Sequence, residues 1–182
     1  MKTPMPAGPE RRDMSTVEAF EGSLDGLAVE TTRVSPEGFT AALEEVVTEP
    51  AVGVEPPIES VSLEGGPVAL DPTPRQIEEA VTGVTGASLG IADYGSVVLP
   101  STPDGIEPVS LFCDDHVVVI DADDIVPDMP TAIGRMATTV ADERGSAIIA
   151  TGPSATADMG ALVRGAHGPK RVHVLVVEGD GR

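Results

Sequence analysis

Along this chain the spacing of apolar residues switches repeatedly between a helical period of 3.6 and short unbroken runs, and that alternation confines it to an α/β fold. His116–Ile120, Ser146–Ala150 and Val172–Val177 are brief runs without a polar face, the pattern of strands buried on both sides in a parallel sheet. Leu27–Val34, Ala51–Val54 and Val68–Leu70 supply further strands. Ser35-Pro36 pairs an N-cap with a proline at the first helical position. Phe39, Ala42, Leu43, Val46 and Val47 then follow on one helical face, which stops before Pro50. Thr73-Pro74 repeats the signal, with Ile77, Ala80, Val81 and Val84 as the stripe. Pro130 opens a third helix striped by Ile133, Met136, Ala137, Val140 and Ala141, with Gly145 at its C′ position. Asp93-Tyr-Gly95 between Ala87–Ala92 and Ser96–Leu99 predicts a hairpin. Glu55–Gly66 and Asp121–Met129 are expected to be loops. The expectation is one α/β domain over residues 14–182, three layers around a mainly parallel sheet. Ser15 and Glu18 form a capping box at its start, and residues 1–13 read as a disordered tail or a mis-assigned start.

Charge narrows what such a domain can do. Thirty acids against eleven lysines and arginines give a net charge of −19, which argues against nucleic acid as a partner. The same excess resembles a salt-adapted, halophilic surface that repels itself when screening is removed. No apolar stretch approaches the length of a membrane span and no signal-peptide core is visible, so a cytoplasmic protein is expected. Cys113 is the one cysteine. Alone it makes no intrachain disulfide and cannot supply the ligands of a cluster, so a small buried hydrophobe is expected. The three histidines lack metal-ligand spacing, and metal binding is not expected. The glycine-rich dinucleotide fingerprint and the P-loop are absent, the pair Gly83-Val-Thr-Gly86 is a weak signal, and Asp121, Asp123 and Asp124 lack the EF-hand pattern.

The acidity nearly stops from Arg144 to Val177, where Asp158 is the one carboxylate among Arg144, Arg164, Lys170, Arg171, His167 and His173. Within this stretch Gly152 and Pro153 make a tight loop, and Ser154 and Thr156 offer hydroxyls. Backbone N–H groups there could open a short helix beyond a strand's carboxyl end and meet an anion. The alternative is that Ser154 or Thr156 merely caps that helix, with Asp158 in its first turn. His167 lies in the loop Gly165-Ala-His-Gly-Pro169, whereas His116 and His173 sit on strands and read as packing or edge residues. The functional reading places Gly152, Ser154, Thr156, Asp158 and His167 around one pocket for a small carboxylate or phosphate. Arg164 or Lys170 would add charge, and Asp158 would orient His167 as proton acceptor.

Three blocks carry a family resemblance: Ile91-Ala-Asp-Tyr-Gly-Ser-Val-Val-Leu99, Gly152-Pro-Ser-Ala-Thr-Ala-Asp158 and Gly165-Ala-His-Gly-Pro-Lys-Arg-Val-His-Val174. In order and spacing they resemble the lactate-utilization (LUD) domain family in its short LutC/YkgG type. Tyr94 stands where that pattern has threonine, and Met159-Gly160 where it has Ile-Glu. The resemblance implies a fold akin to the NagB/RpiA/CoA-transferase group. It also implies an accessory or substrate-binding part in a system oxidising L-lactate to pyruvate, with iron–sulfur clusters held by Cys-rich partner subunits and no cofactor on this chain. An autonomous enzyme on small anionic or acyl-CoA substrates and a ligand-binding regulator are the other readings of such a fold.

Overall fold

The computed structural model describes residues 15–143, 145–158, 161–165 and 167–179, and for 138–143, 156–158 and 161–164 the backbone alone. The expected tail at 1–13 lies outside the described residues. Helix α1 (Thr16–Gly26) begins at a reciprocal capping box, Ser15 accepting from the Glu18 N–H while the Glu18 carboxylate accepts from the Ser15 N–H. Strand β1 (Glu30–Val34) follows, then a 3₁₀ turn capped by the Ser35 side chain and helix α2 (Phe39–Val46), which buries Phe39 and Leu43 as the stripe predicts. Next come β2 (Ala51–Gly53), β3 (Val68–Leu70), α3 (Pro74–Glu79) with a Thr73/Gln76 capping box, and β4 (Thr82–Gly86). The hairpin around Asp93 joins β5 (Leu89–Ile91) to β6 (Ser96–Pro100), and α4 (Ile106–Phe112) leads into β7 (Asp115–Asp121). The remainder is β8 (Ile125–Val126), α5 (Met129–Glu143), β9 (Ala147–Thr151), the antiparallel pair β10 (Ala155–Asp158) and β11 (Ala161–Arg164), and β12 (Arg171–Val177).

Six strands in the order β1-β12-β7-β4-β2-β3 form a wholly parallel sheet. Alternation along β7 and β12 divides the core. Val118, Ile120, Val174 and Val176 face α1, α3, α4 and a smaller sheet, β8-β5-β6-β9. Val117, Val119, Leu175 and Val177 face α2 and the loop carrying Ile58, Val61 and Leu63. The three-layer α/β arrangement expected from the apolar pattern is the one adopted.

Several local expectations need correction. The stripe from Thr73-Pro74 predicts helix through Val84, yet the helix ends at Glu79 and residues 82–86 form a fully buried central strand. Glycine disguises it, because Thr-Gly-Val-Thr-Gly carries one large apolar side chain. The glycines are there for space. A Cβ on Gly83 would strike the Val109 carbonyl of α4 and lie 3.1 Å from Cys113 Sγ. One on Gly86 would sit 2.9 Å from Pro56 Cα. The weak Gly83/Gly86 pair therefore marks two close approaches to the backbone.

The run at 146–150 is a strand, β9, but not a buried one. It forms the edge of the smaller sheet, antiparallel to β6; Ile148 and Ala150 turn toward the main core, Ala147 packs beside α5, and Ile149 is left 40% exposed. Helix α5 meets its expected stripe in part: Met136 packs with Ala132 and Met129 on the cluster of Leu89, Ile91 and Val98, whereas Ile133 and Ala137 are exposed and the side chains of Val140 and Ala141 lie outside the described residues. The acidic segment after β7 also hides β8, which pairs in parallel with β5. Cys113 is buried as expected, and burial pushes its thiol up to about 11, with Asp114 and Asp115 adding to the shift.

Candidate functional site

Residues 154 and 155 open no helix. They lead into β10, and because β9 pairs antiparallel with β6 at the edge of the smaller sheet, the loop after it is not beyond the carboxyl end of a parallel strand. Backbone bonds instead clamp two glycine-containing loops together. The Ser154 N–H donates to the Pro169 carbonyl at 2.9 Å, and the Gly165 N–H donates to the Ser154 carbonyl at 3.0 Å. Gly152 (φ +65°) and Gly165 (φ +76°) take left-handed conformations that a side chain would strain. A Cβ on Gly165 would also run into the Lys170 stem.

Together these loops form the mouth of a cavity of about 470 Å³ between the two sheets, within the size range of small-molecule sites. Gly152, Ser154 and His167 line it. Its walls are aliphatic, from β6 (Val97, Leu99), β9 (Ile148, Ala150) and the amino-terminal halves of β7 and β12 (Val118, Val174). Ser110 and Thr151 hydroxyls also reach it, but Ser110 Oγ donates to the Glu107 carbonyl and Thr151 Oγ1 shares a hydrogen bond with Ser96 Oγ.

Lys170 lies beside this space rather than in it. It lines an adjoining cavity of about 210 Å³ with Asp115, His173 and Arg171, and its ammonium pairs with Asp114 at 2.7 Å. Arg171 pairs with Asp115 across the β12–β7 register. Thr156 and Asp158 are on β10 and Arg164 ends β11; their side chains lie outside the described residues. Arg33, Arg75 and Arg135, the other described cations, also face carboxylates. Each lysine or arginine whose side chain is described has an acidic partner.

His116, expected as a packing or edge residue, is buried as a packing residue would be, but it also lines the cavity, a role outside that expectation. His116 is the second residue of β7, 3% exposed, and its ring lines both cavities, with Nε2 at 2.8 Å from Thr85 Oγ1. Burial lowers its pKa to about 4, so the ring is neutral at physiological pH. The available signal was a histidine at the head of a run otherwise made of valine and isoleucine. His173 behaves as an edge contact instead, bonding Thr32 Oγ1 at 2.9 Å, and burial lowers its pKa against the opposing pull of Glu30. Tyr94 is exposed in its turn, so the aromatic ring meets no packing obstacle there.

The carboxyl ends of β2 and β3, where a parallel sheet usually holds ligands, offer a different environment. That cleft is lined by Glu55, Glu64, Asp71 and Asp104 and repels anions. Among the described residues no group of three or more His, Cys, Asp or Glu side chains is placed to hold a metal ion. No described helix is long and apolar enough to cross a membrane.

The family model described as the LUD domain matches residues 64–177, which include both clamped loops and His116. Lactate utilization protein C of Bacillus licheniformis is 35% identical over 116 residues, which are 60% of this chain and 48% of that protein. The protein of the same name from Deinococcus radiodurans is 32% identical over 104 residues, 56% of this chain and 49% of that one. The matches thus span about half the length of these curated relatives. The crystal structure of a DUF162 family protein from Deinococcus radiodurans, at 1.70 Å resolution, superposes with a TM-score of 0.68. It is 22% identical and the match covers 89% of this chain and 96% of that one, a likeness of fold.

Proposed function

This chain belongs to the LUD domain family, and from that premise we propose that it is an accessory, ligand-binding component of lactate utilization, acting beside separate iron–sulfur proteins. The observation that carries the reading is the cavity mouth, where the two most specific sequence blocks are tied together by Ser154, Pro169 and Gly165 backbone bonds. Conversion of lactate to pyruvate removes two electrons and two protons. A single buried thiol with a pKa near 11 offers no set of thiolates for a cluster, so the electrons pass to clusters on Cys-rich partners. On this side, Ser154 and the loop backbone hold a carboxyl group at the mouth. His167 accepts the proton of the substrate hydroxyl, Asp158 orients the imidazole, and as the α C–H bond breaks its two electrons pass to the partner clusters and its proton to a base on the partner side.

Deleting the gene should abolish growth on lactate and leave growth on pyruvate intact. In the reconstituted complex, His167→Gln should slow lactate oxidation by about 100-fold or more, with an unchanged unfolding midpoint because His167 is exposed. Asp158→Asn should slow it in the same direction by a smaller factor. Full activity in both variants, or loss only through unfolding, makes the loops structural. Turnover by the purified chain alone would instead mark an autonomous enzyme.

The charge excess belongs to the same proposal, as adaptation to a salty interior. With 30 acids, 11 cations and every described cation already paired, the remaining carboxylates repel one another through solvent that salt screens. The thermal midpoint should climb between 0.1 M and 3 M KCl. A flat or falling midpoint removes the salt-adaptation reading.

A further inference from the structure

We infer that the cavity between the two sheets accepts an organic acid with an aliphatic tail well beyond the methyl group of lactate, an inference that rests on the loop mouth being the ligand site. In a chain that is 23% charged, neither a carboxylate nor a lysine or arginine is among the described residues lining this cavity. Its inner wall is Val97, Leu99, Val118, Ile148, Ala150 and Val174, aliphatic surface contributed by both sheets. Of the polar groups, the Ser110 and Thr151 hydroxyls are engaged by the Glu107 carbonyl and Ser96 Oγ. Ser154 and the exposed His167 stand at the mouth, and His116 meets the wall with one ring nitrogen held by Thr85.

This division sorts a ligand by its parts. A carboxyl head stays at the wet mouth, where its charge is not desolvated, and a hydrocarbon tail enters the charge-free interior. Lactate has three carbons and one methyl group. In a cavity of about 470 Å³ it would occupy the mouth and leave most of the aliphatic wall without contact. The acid-lined cleft at the carboxyl ends of β2 and β3 offers no comparable place for such a tail.

The inference is tested by isothermal titration of the full chain with four 2-hydroxy acids: lactate, 2-hydroxybutyrate, 2-hydroxyhexanoate and 2-hydroxyoctanoate. Each added methylene should tighten binding about fourfold until the tail reaches the end of the cavity. Ala150→Leu, which places a larger side chain on the wall, should flatten the series while circular dichroism shows the fold retained. Equal affinities across the series, tightest binding of lactate, or no binding of any member overturns the proposal. The lactate-utilization reading stands or falls separately on the gene deletion. Lost growth on lactate with a flat series sinks only the tail, whereas normal growth with a rising series sinks only the assignment to lactate.

Discussion

Gly83→Ala is expected to cost about 3 kcal/mol and to lower the unfolding midpoint by roughly 10 °C. The new methyl has no place to go. It points from the middle of the parallel sheet into the Val109 carbonyl, with Val109 Cγ1 at 3.0 Å and Cys113 Sγ at 3.1 Å. The nearest obstacle is helix backbone rather than the end of a flexible side chain, so α4 would have to lift off β4. Gly22→Ala is the control. That glycine lies within α1 with nothing within 4 Å of its added Cβ, and alanine there should stabilise by up to about 1 kcal/mol through helix propensity. Thermal melts of both variants, read by circular dichroism, decide the matter. A Gly83→Ala protein melting within 2 °C or so of wild type would show that α4 does not press on β4 as described.

His116 should make the fold sensitive to mild acid. In the unfolded chain its imidazole titrates near the ordinary value of 6.5, whereas in the folded chain burial holds it to about 4. A depressed pKa means that the unfolded state takes up the proton first. The contribution is fully present above pH 6.5, declines as pH falls through the window to 4, and is exhausted below it. The shift corresponds to about 3 kcal/mol. Many carboxylates titrate in the lower part of this window, so the informative quantity is the difference from His116→Gln. Glutamine keeps an amide that can bond Thr85 Oγ1 and takes up no proton. Urea unfolding at pH 7.5, 6, 5 and 4 should show wild type losing more stability than the variant on acidification. Parallel curves would mean that the ring is hydrated and charges freely in the fold.

What the chain disclosed by pattern was what local chemistry determines. Ser15/Glu18, Ser35-Pro36 and Thr73-Pro74 start helices because their caps act within four residues, and the Val-rich runs of β7 and β12 could be nothing but buried strand. Pattern failed where a distant element dictates the residue. Gly83 and Gly86 are glycines because α4 and the Pro56-Pro57 loop lie on them, information carried by other segments. Ile148 and Ile149 look alike in sequence, yet one faces the core and the other faces out, since β9 is at an edge. For the site, the glycine and proline loops were visible as blocks, and the structure brings Gly152, Ser154 and His167 to one cavity. Hidden from the sequence were its aliphatic wall, gathered from four strands, and His116, whose place in the cavity depends on β7 lying next to β12.

The position of β12 sets a timetable for folding. This strand is made after both β1 and β7, yet it lies between them inside the sheet. Thr32 on β1 waits for His173, 141 residues further along. At roughly 5–20 residues per second, a ribosome needs about 10–30 s to cover that distance. Between the completion of β7 at Asp121 and the arrival of β12 at Arg171, the facing edges of β1 and β7 have no strand between them, with backbone donors and acceptors ready for any extended peptide. The newborn chain is therefore most prone to mispairing just before β12 emerges, and the strand that fills this gap also anchors the loop carrying His167.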